Sequence, residues 1–378
     1  GLLPSLVLMG MVWVFMTFSA FCFLEVNLWI EGDTDIISMA GHTLGKGAQY
    51  FAWFAYIFLL YSVTTAYIAL SAPILTDLAS SVFGVTMPTY AAPLPMLLLF
   101  AYILYKGTAW ADLANRWLML GLALAYILLV VYVAPHMEPA LLQSSNWTCL
   151  GLGFSVIATS FGYHIIIPSL TNYMRRDHRQ MARVLIIGGL IPLIVNGLWE
   201  TLALGTIPVD GPHGLKQGFV TGQSSALLLK EALSQPMIAH GARALSLFAI
   251  TTSFLGVTLS LFHFLSDGLK IRRSIRGRTA LSLLTFVPPL LLVWTYPRAA
   301  LLALEYAGVI GVIILLGFMP CLMVWGGRYW KRLPPSEFRV PGGKPALMAA
   351  MLFAALAVAC EVALQLGYLQ SCVEELYK

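Results

Sequence analysis

The chain has 378 residues, of which 59% are hydrophobic and only 10% charged, with a net charge of +5. A soluble domain carries about a quarter charged residues, so too little polar side chain is present here to clothe a water-soluble globule, and far too much apolar mass for disorder. The mean hydropathy of +0.82 leaves an integral membrane protein as the class, and the basic residues sit in loops between apolar runs rather than in a nucleic-acid-binding patch.

Charges mark where the chain must leave hydrocarbon, and a helix needs about 20 apolar residues to cross. Runs free of charge cover 1–24, 49–76, 86–105, 117–134 and 147–174. A run at 184–207 holds one charge, Glu200. Further charge-free runs cover 244–266, 279–297 and 306–327, and 345–369 holds only Glu361. These are ten spans. All are expected to be helical, because the short alternating segments of a membrane barrel are absent. With the first span running inward, the inner loops gather Arg175, Arg176, Arg179 and Arg183, then Lys270 to Arg278, then Arg328 to Lys344. The outer segments carry only scattered basic residues, so the positive-inside rule fixes this orientation. Residues 224–234, in the longest outer segment, have a Ser start and helical apolar spacing, and read as a short interfacial helix. Asn146-Trp147-Thr148 matches a glycosylation sequon, which chance explains better. The first residue is not Met and no basic flank precedes the first span, so the chain is expected to lack its true N-terminus.

The run 149–174 is the most informative. It is interrupted by Thr159-Ser160-Phe161-Gly162-Tyr163-His164 and then by Pro168. Glycine weakens a helix and proline removes a backbone donor. In lipid, a broken backbone is tolerated only where protein covers it or a cavity is lined, and such breaks near the midplane form transporter binding sites. A plain proline kink in a packed bundle is the competing reading. In the second span Tyr61, Thr64 and Thr65 share one helical face. In the seventh, Ser246, Ala249, Ser253, Gly256 and Ser260 form a small-residue stripe, which first suggests close packing. Thr252 and Ser253 are the better ligand candidates, since neighbouring hydroxyls can coordinate a cation or a carboxylate.

These segments resemble the bacterial hydroxy and aromatic amino acid permeases, the tyrosine branch with its tryptophan relatives above all. The resemblance rests on Thr159 to His164 with Pro168-Ser169, on Ser253-Phe254-Leu255-Gly256-Val257, and on Thr285-Phe286-Val287-Pro288-Pro289. Tyr296-Pro297-Arg298, Tyr306-Ala307-Gly308 and Val340-Pro341-Gly342-Gly343 extend it. It runs in register along essentially the whole chain. The family belongs to the amino acid–polyamine–cation superfamily, which implies an all-α polytopic fold of two inverted five-helix repeats plus a terminal helix. On that scheme 1–134 is the first repeat without its first helix, 147–327 the second repeat, and 345–369 the terminal helix. The Gly-rich motif of the family's first helix, of the form GTxxGAGML, does not occur here.

The resemblance implies a secondary transporter of the bacterial inner membrane. It would import an aromatic amino acid, tyrosine before tryptophan or phenylalanine, by symport with a proton. Sodium-coupled transport of another neutral amino acid such as serine is the alternative. No cofactor or metal is implied. No nucleotide-binding loop, HExxH or GxSxG is present, so neither ATP hydrolysis nor an embedded enzyme is expected. The substrate-site candidates are Ser160, Phe161, Gly162, Tyr163, His164, Tyr61, Thr65, Ser253 and Phe254. The ion-coupling candidates are Glu200, Thr252 and Ser253. An ionisable group in hydrocarbon is a functional candidate by default. Glu25 is nonetheless expected to be interfacial and solvated, and Glu361 to face outward or toward another subunit. His164 is read two ways, as a partner for a substrate hydroxyl or carboxylate, or as a structural donor to carbonyls freed by the break.

Overall fold

A computed structural model describes residues 1–366 except 33, 89, 144, 146, 148, 149, 213, 222–224, 234, 272, 273, 297–302, 304 and 305. The sequon and the first residue of the 149–174 run thus lie outside the described residues. So do Arg272, Arg273, both ends of the 224–234 helix and the last residues of the 345–369 span. Among the described residues there is no strand, and nine helices are long and apolar enough to cross a membrane. The protein is an all-helical polytopic membrane protein.

The helices are α1 (Leu2–Trp29), α2 (Ile36–Leu44), α3 (Lys46–Phe83), α4 (Leu94–Lys106) and α5 (Thr108–Val133). The broken span follows as α6 (Phe154–Thr159) and α7 (Ile167–Tyr173). Then come α8 (His178–Thr206), α9 (Leu215–Thr221), α10 (Ser225–Leu233), α11 (Pro236–Gly268) and α12 (Ile275–Thr295). A helix α13 fills Ala307–Trp330, and α14 covers Gly343–Gln365. Every expected span has its helix, with corrections at the edges. The 86–105 span shrinks to α4, too short to cross alone, because Gly84 takes a left-handed φ of 66° and residues 90–93 turn before Pro95 opens the helix. The fourth span begins earlier than expected, at Thr108. Asp112 and Arg116 are carried inside α5 as an exposed i, i+4 ion pair at 2.9 Å, so their charges do not end the helix. The interfacial helix is α10, and the sequence reading missed α9 before it.

The chain forms two compact units. One comprises Gly1–Leu59, Gln143–Thr201 and Glu305–Lys378, and the other Leu60–Leu142 and Leu202–Leu304.

The first unit is organised around α1, which buries Val12, Met16, Ala20, Phe23 and Leu24. Its α13 departs from the ordinary helix. Ala307–Phe318 and Gly326–Trp330 are π-helical, with an α-helical turn at Met319–Trp325 between them. Wide π turns leave carbonyls poorly served by their own helix, and in an apolar interior these need another donor. Ser19 of α1 supplies one, reaching Leu316 O at 2.6 Å and Gly317 O at 2.9 Å. Gly317 has no side chain because Phe15 occupies the space, 2.7 Å from where a Cβ would stand. At the predicted inner end, Arg176 holds a left-handed backbone and caps α1, donating to Leu28 O at 2.8 Å and Ile30 O at 3.0 Å.

Glu25 is not solvated. It is 1% exposed and takes a two-pronged ion pair from Arg328, at 2.7 Å from Nε and 2.5 Å from Nη2. Val340 completes the cluster: its N–H donates to Glu25 at 2.7 Å, and its carbonyl accepts from Arg328 at 3.0 Å. Arg328, expected as a loop charge, is therefore a buried clamp between α1, α13 and the Val340-Pro341-Gly342-Gly343 turn, whose glycines both take positive φ. Glu361 is also buried, beside Ser155, instead of facing outward.

The second unit packs α11 against α5, where a Cβ on Gly121 would meet the Phe248 ring at 2.6 Å. Asp77, just past the charge-free part of α3, receives Arg243 Nε at 2.6 Å and Lys230 Nζ at 3.1 Å, and so ties α3 to α11 and α10.

Candidate functional site

The broken span is built by the residues that interrupt it. At the end of α6 the hydrogen bonds tighten from i−4 to i−3: Ser160 N–H to Ile157, Phe161 N–H to Ala158 and Gly162 N–H to Thr159, all at 3.1–3.2 Å. The chain then bends at Gly162, whose ψ is 35°. A Cβ there would stand 3.3 Å from the Thr159 carbonyl, so the bend is crowded for any larger residue. Tyr163–Ile166 forms one 3-10 turn, and Pro168 sits in the first turn of α7, where its missing donor costs nothing. The α-helical ladder is thus lost between Thr159 and Ile167. The sequence pointed to a fully non-helical stretch over Phe161–His164. The chain is instead compressed into tight turns, which satisfy backbone groups that an open loop would leave bare.

The side chains of the break point in different directions. Ser160 is exposed, whereas Phe161 and His164 are both 0% exposed. These two are enclosed by protein and line no open cavity. Tyr163 stacks on His164, ring centroids 5.3 Å apart and 26° between planes, and His164 meets Phe23 of α1 edge-on at 6.2 Å. Both ring nitrogens of His164 are buried without a hydrogen-bond partner, the Met16 carbonyl lying close but outside bonding geometry. Tyr163 Oη reaches Leu185 O of α8 at 3.5 Å. Around Gly189 of α8, Tyr163 Oη and Trp13 Nε1 each stand 3.1 Å, and Thr17 Oγ1 3.5 Å, from the place of a Cβ. Trp13 Nε1 is likewise buried and unpartnered, and Thr17 Oγ1 is buried with Tyr163 Oη as its near neighbour outside bonding geometry. An unmet buried polar atom costs about 1–3 kcal/mol, so three such residues about one break form an unusual concentration. Sequence reasoning had found Tyr163 and His164 but not Trp13, Thr17 or Gly189. Their only signal was the i, i+4 spacing of a Trp and a Thr in an otherwise apolar span.

The other candidates lie in the second unit, except Glu200, which belongs to the first. Tyr61 Oη donates to Leu284 O of α12 at 2.8 Å. Thr65 Oγ1 donates to Tyr61 O at 2.8 Å, and Thr252 Oγ1 to Phe248 O at 2.8 Å, both within their own helices. A hydroxyl that spends its hydrogen on the preceding turn keeps its lone pairs, and can still accept from an ammonium or coordinate a cation. Ser253 of α11 is the side-chain hydrogen-bond neighbour of Tyr67 of α3. Phe254 is fully buried and edge-on to Phe100 at 5.4 Å, which makes it a core residue of that unit. Glu200 is half-buried near the end of α8. Among the described residues no cluster of His, Cys, Asp and Glu could hold a metal ion.

Secondary transporters build binding sites from broken membrane helices of this kind. The model of the tryptophan/tyrosine permease family matches residues 1–361, and the chain belongs to that family. It is a multi-pass protein of the bacterial inner membrane. A tryptophan-specific transport protein of Pseudomonas aeruginosa is 32% identical over 353 residues, 91% of this chain and 83% of that one. A tryptophan-specific transport protein of Haemophilus influenzae is 29% identical, over 95% of this chain and 88% of its own length. The same organism's tyrosine-specific transport system 1 is 28% identical, over 97% and 90%.

Proposed function

We propose that the protein imports an aromatic amino acid by secondary active transport, with the proton gradient as driving force. The break between α6 and α7 is the observation that carries this reading. A membrane chain retains an interrupted helix at a cost, and helix interruption is how this class of transporter presents backbone carbonyls and half-helix ends to a charged substrate. On this reading the backbone of Ser160–Gly162 takes the substrate's amine and Tyr163 supplies aromatic surface, while Phe161, fully enclosed, packs behind the break. His164, wholly enclosed, has the separate role argued below. Thr65, Ser253, Tyr61 and Phe254 stay as substrate-site candidates. Thr252 and Glu200 stay as ion-coupling candidates. The relatives named for tryptophan and for tyrosine both span nearly the whole chain, which supports the aromatic class and ranks neither member of it. Segments 1–134 and 147–327 are read as inverted halves, each compact unit drawing on both.

Equilibrium binding of labelled tryptophan, tyrosine and phenylalanine to the purified protein tests the reading. Saturable binding of at least one is expected, displaced by the other two and not by serine. It should weaken about tenfold in Gly162→Ala, because alanine favours a continuous helix by roughly 1 kcal/mol and crowds Thr159 O. Serine competing as well as tryptophan would refute it.

A further inference from the structure

We propose that His164 is the residue that carries the co-transported proton. This rests on the transport reading above and deepens it. Among the described residues the buried carboxylates and the half-buried Asp77 have partners, and Glu200 is only half-buried. Glu25 is closed in its two-pronged pair with Arg328, and Asp77 is held by Arg243 and Lys230. Glu361 lies beside the Ser155 side chain. His164 is fully buried with neither ring nitrogen engaged. It stands at the one place in its span where the helix ladder is interrupted, directly after the Gly162 bend.

The groups around it matter for its charge. From α1 come Cys22, set against Cys321, and Glu25, set against Arg328; from α13 come those same two partners. Residues 184–199 of α8 hold no titratable side chain, nor does α6; α7 carries Tyr173, and α14 carries Lys344, Cys360 and Glu361. The turn itself brings Tyr163, stacked on the ring. An imidazolium here would have no free counter-charge, and the Met16 carbonyl is the one acceptor near its two N–H groups. This arrangement therefore suits the neutral ring, while a proton bound to it favours an arrangement in which the break has moved and the ring meets water or substrate carboxylate. That difference is what coupling requires, because a ligand shifts a conformational equilibrium only by its unequal affinity for the two states. A proton from the outer aqueous phase binds one ring nitrogen, giving a singly positive ring, and leaves to water on the inner side. The unmet Trp13 Nε1 and Thr17 Oγ1, with Tyr163 Oη beside them at Gly189, provide a polar wall next to the ring along which water can reach it.

The experiment compares the parent with His164→Gln and His164→Asn in proteoliposomes, by two readouts of labelled aromatic amino acid. The first is accumulation driven by an imposed pH difference of about 2 units, which supports about 100-fold accumulation for one proton per substrate. The second is counterflow, the exchange of labelled for unlabelled substrate without a gradient. The proposal expects the variants to keep counterflow within about threefold of the parent and to lose accumulation, the ratio falling to about 1. Accumulation at the parent's level in a variant overturns it. So does loss of counterflow together with accumulation, or failure of both variants to give monodisperse protein, since His164 would then be a binding or packing residue. A parent that responds to sodium alone also overturns it. A parent that moves no aromatic amino acid in either readout refutes the transport reading itself, which keeps the two failures apart.

Discussion

The Glu25–Arg328 clamp yields a prediction whose size follows from its burial. Glu25→Gln keeps the shape and can still accept from Val340 N–H, but removes the negative charge. Arg328 is then left as a buried cation without its counter-charge, with the Val340 carbonyl at 3.0 Å and the Tyr329 side chain beside it. Breaking one side of a buried pair costs about 3–5 kcal/mol, because the surviving charge has been taken from water without compensation. At roughly 2 °C per kcal/mol for a chain of this size, the melting temperature in detergent should fall by about 6–10 °C. The double variant Glu25→Gln/Arg328→Met removes both charges and should recover most of that loss, since an uncharged replacement of similar volume is often neutral. Melting curves of the four proteins, read by fluorescence-detected size exclusion, give the coupling directly. A Glu25→Gln melting temperature within about 1 °C of the parent would refute the clamp, as would a double variant as unstable as the two singles summed.

Other perturbations test other parts of the account. Thr65→Ala and Ser253→Ala each remove one hydroxyl and should weaken substrate binding by roughly 5- to 150-fold, the equivalent of about 1–3 kcal/mol; unchanged uptake kinetics in both would take them out of the site. Gly189→Ala places a methyl about 3.1 Å from Trp13 Nε1 and Tyr163 Oη, and should slow transport at least tenfold while the purified protein stays monodisperse; parent-like rates would show that this polar corner is not used. Asp77→Asn leaves Lys230 and Arg243 without their shared counter-charge and should lower the melting temperature, an effect that raised salt narrows because the cluster is partly exposed.

Spans were legible because hydrocarbon forbids charge: gaps between charges located the helices of the spans, though not the short α2 and α9, and Gly162 with Pro168 located the break. The exceptions have physical causes. The Asp112–Arg116 pair lies inside α5 because exposed charges can reach past an apolar stretch, so a gap rule places the start too late. Glu25 read as solvated because its partner is about 300 residues away, and nothing local announces a pairing across that distance. The π-helical stretches of α13 left only Gly308, Gly311 and Gly317 as traces, and glycines at such spacing equally fit close helix packing. Hydroxyl spacing singled out Thr65 and Ser253 as candidates for the site. The enclosed state of Phe161 and His164 could not be read from an apolar run, in which every position looks alike. Trp13 and Thr17 stayed hidden because an unmet polar atom is a property of packing.

Proton-driven accumulation of an aromatic amino acid by the purified, reconstituted protein tests the central claim most directly. With the vesicle interior alkaline, labelled tryptophan or tyrosine should rise well above its outside concentration and collapse on adding a protonophore, and excess serine should not compete. Uptake that only equilibrates, that ignores the pH gradient, or that serine abolishes as readily as tryptophan would contradict it.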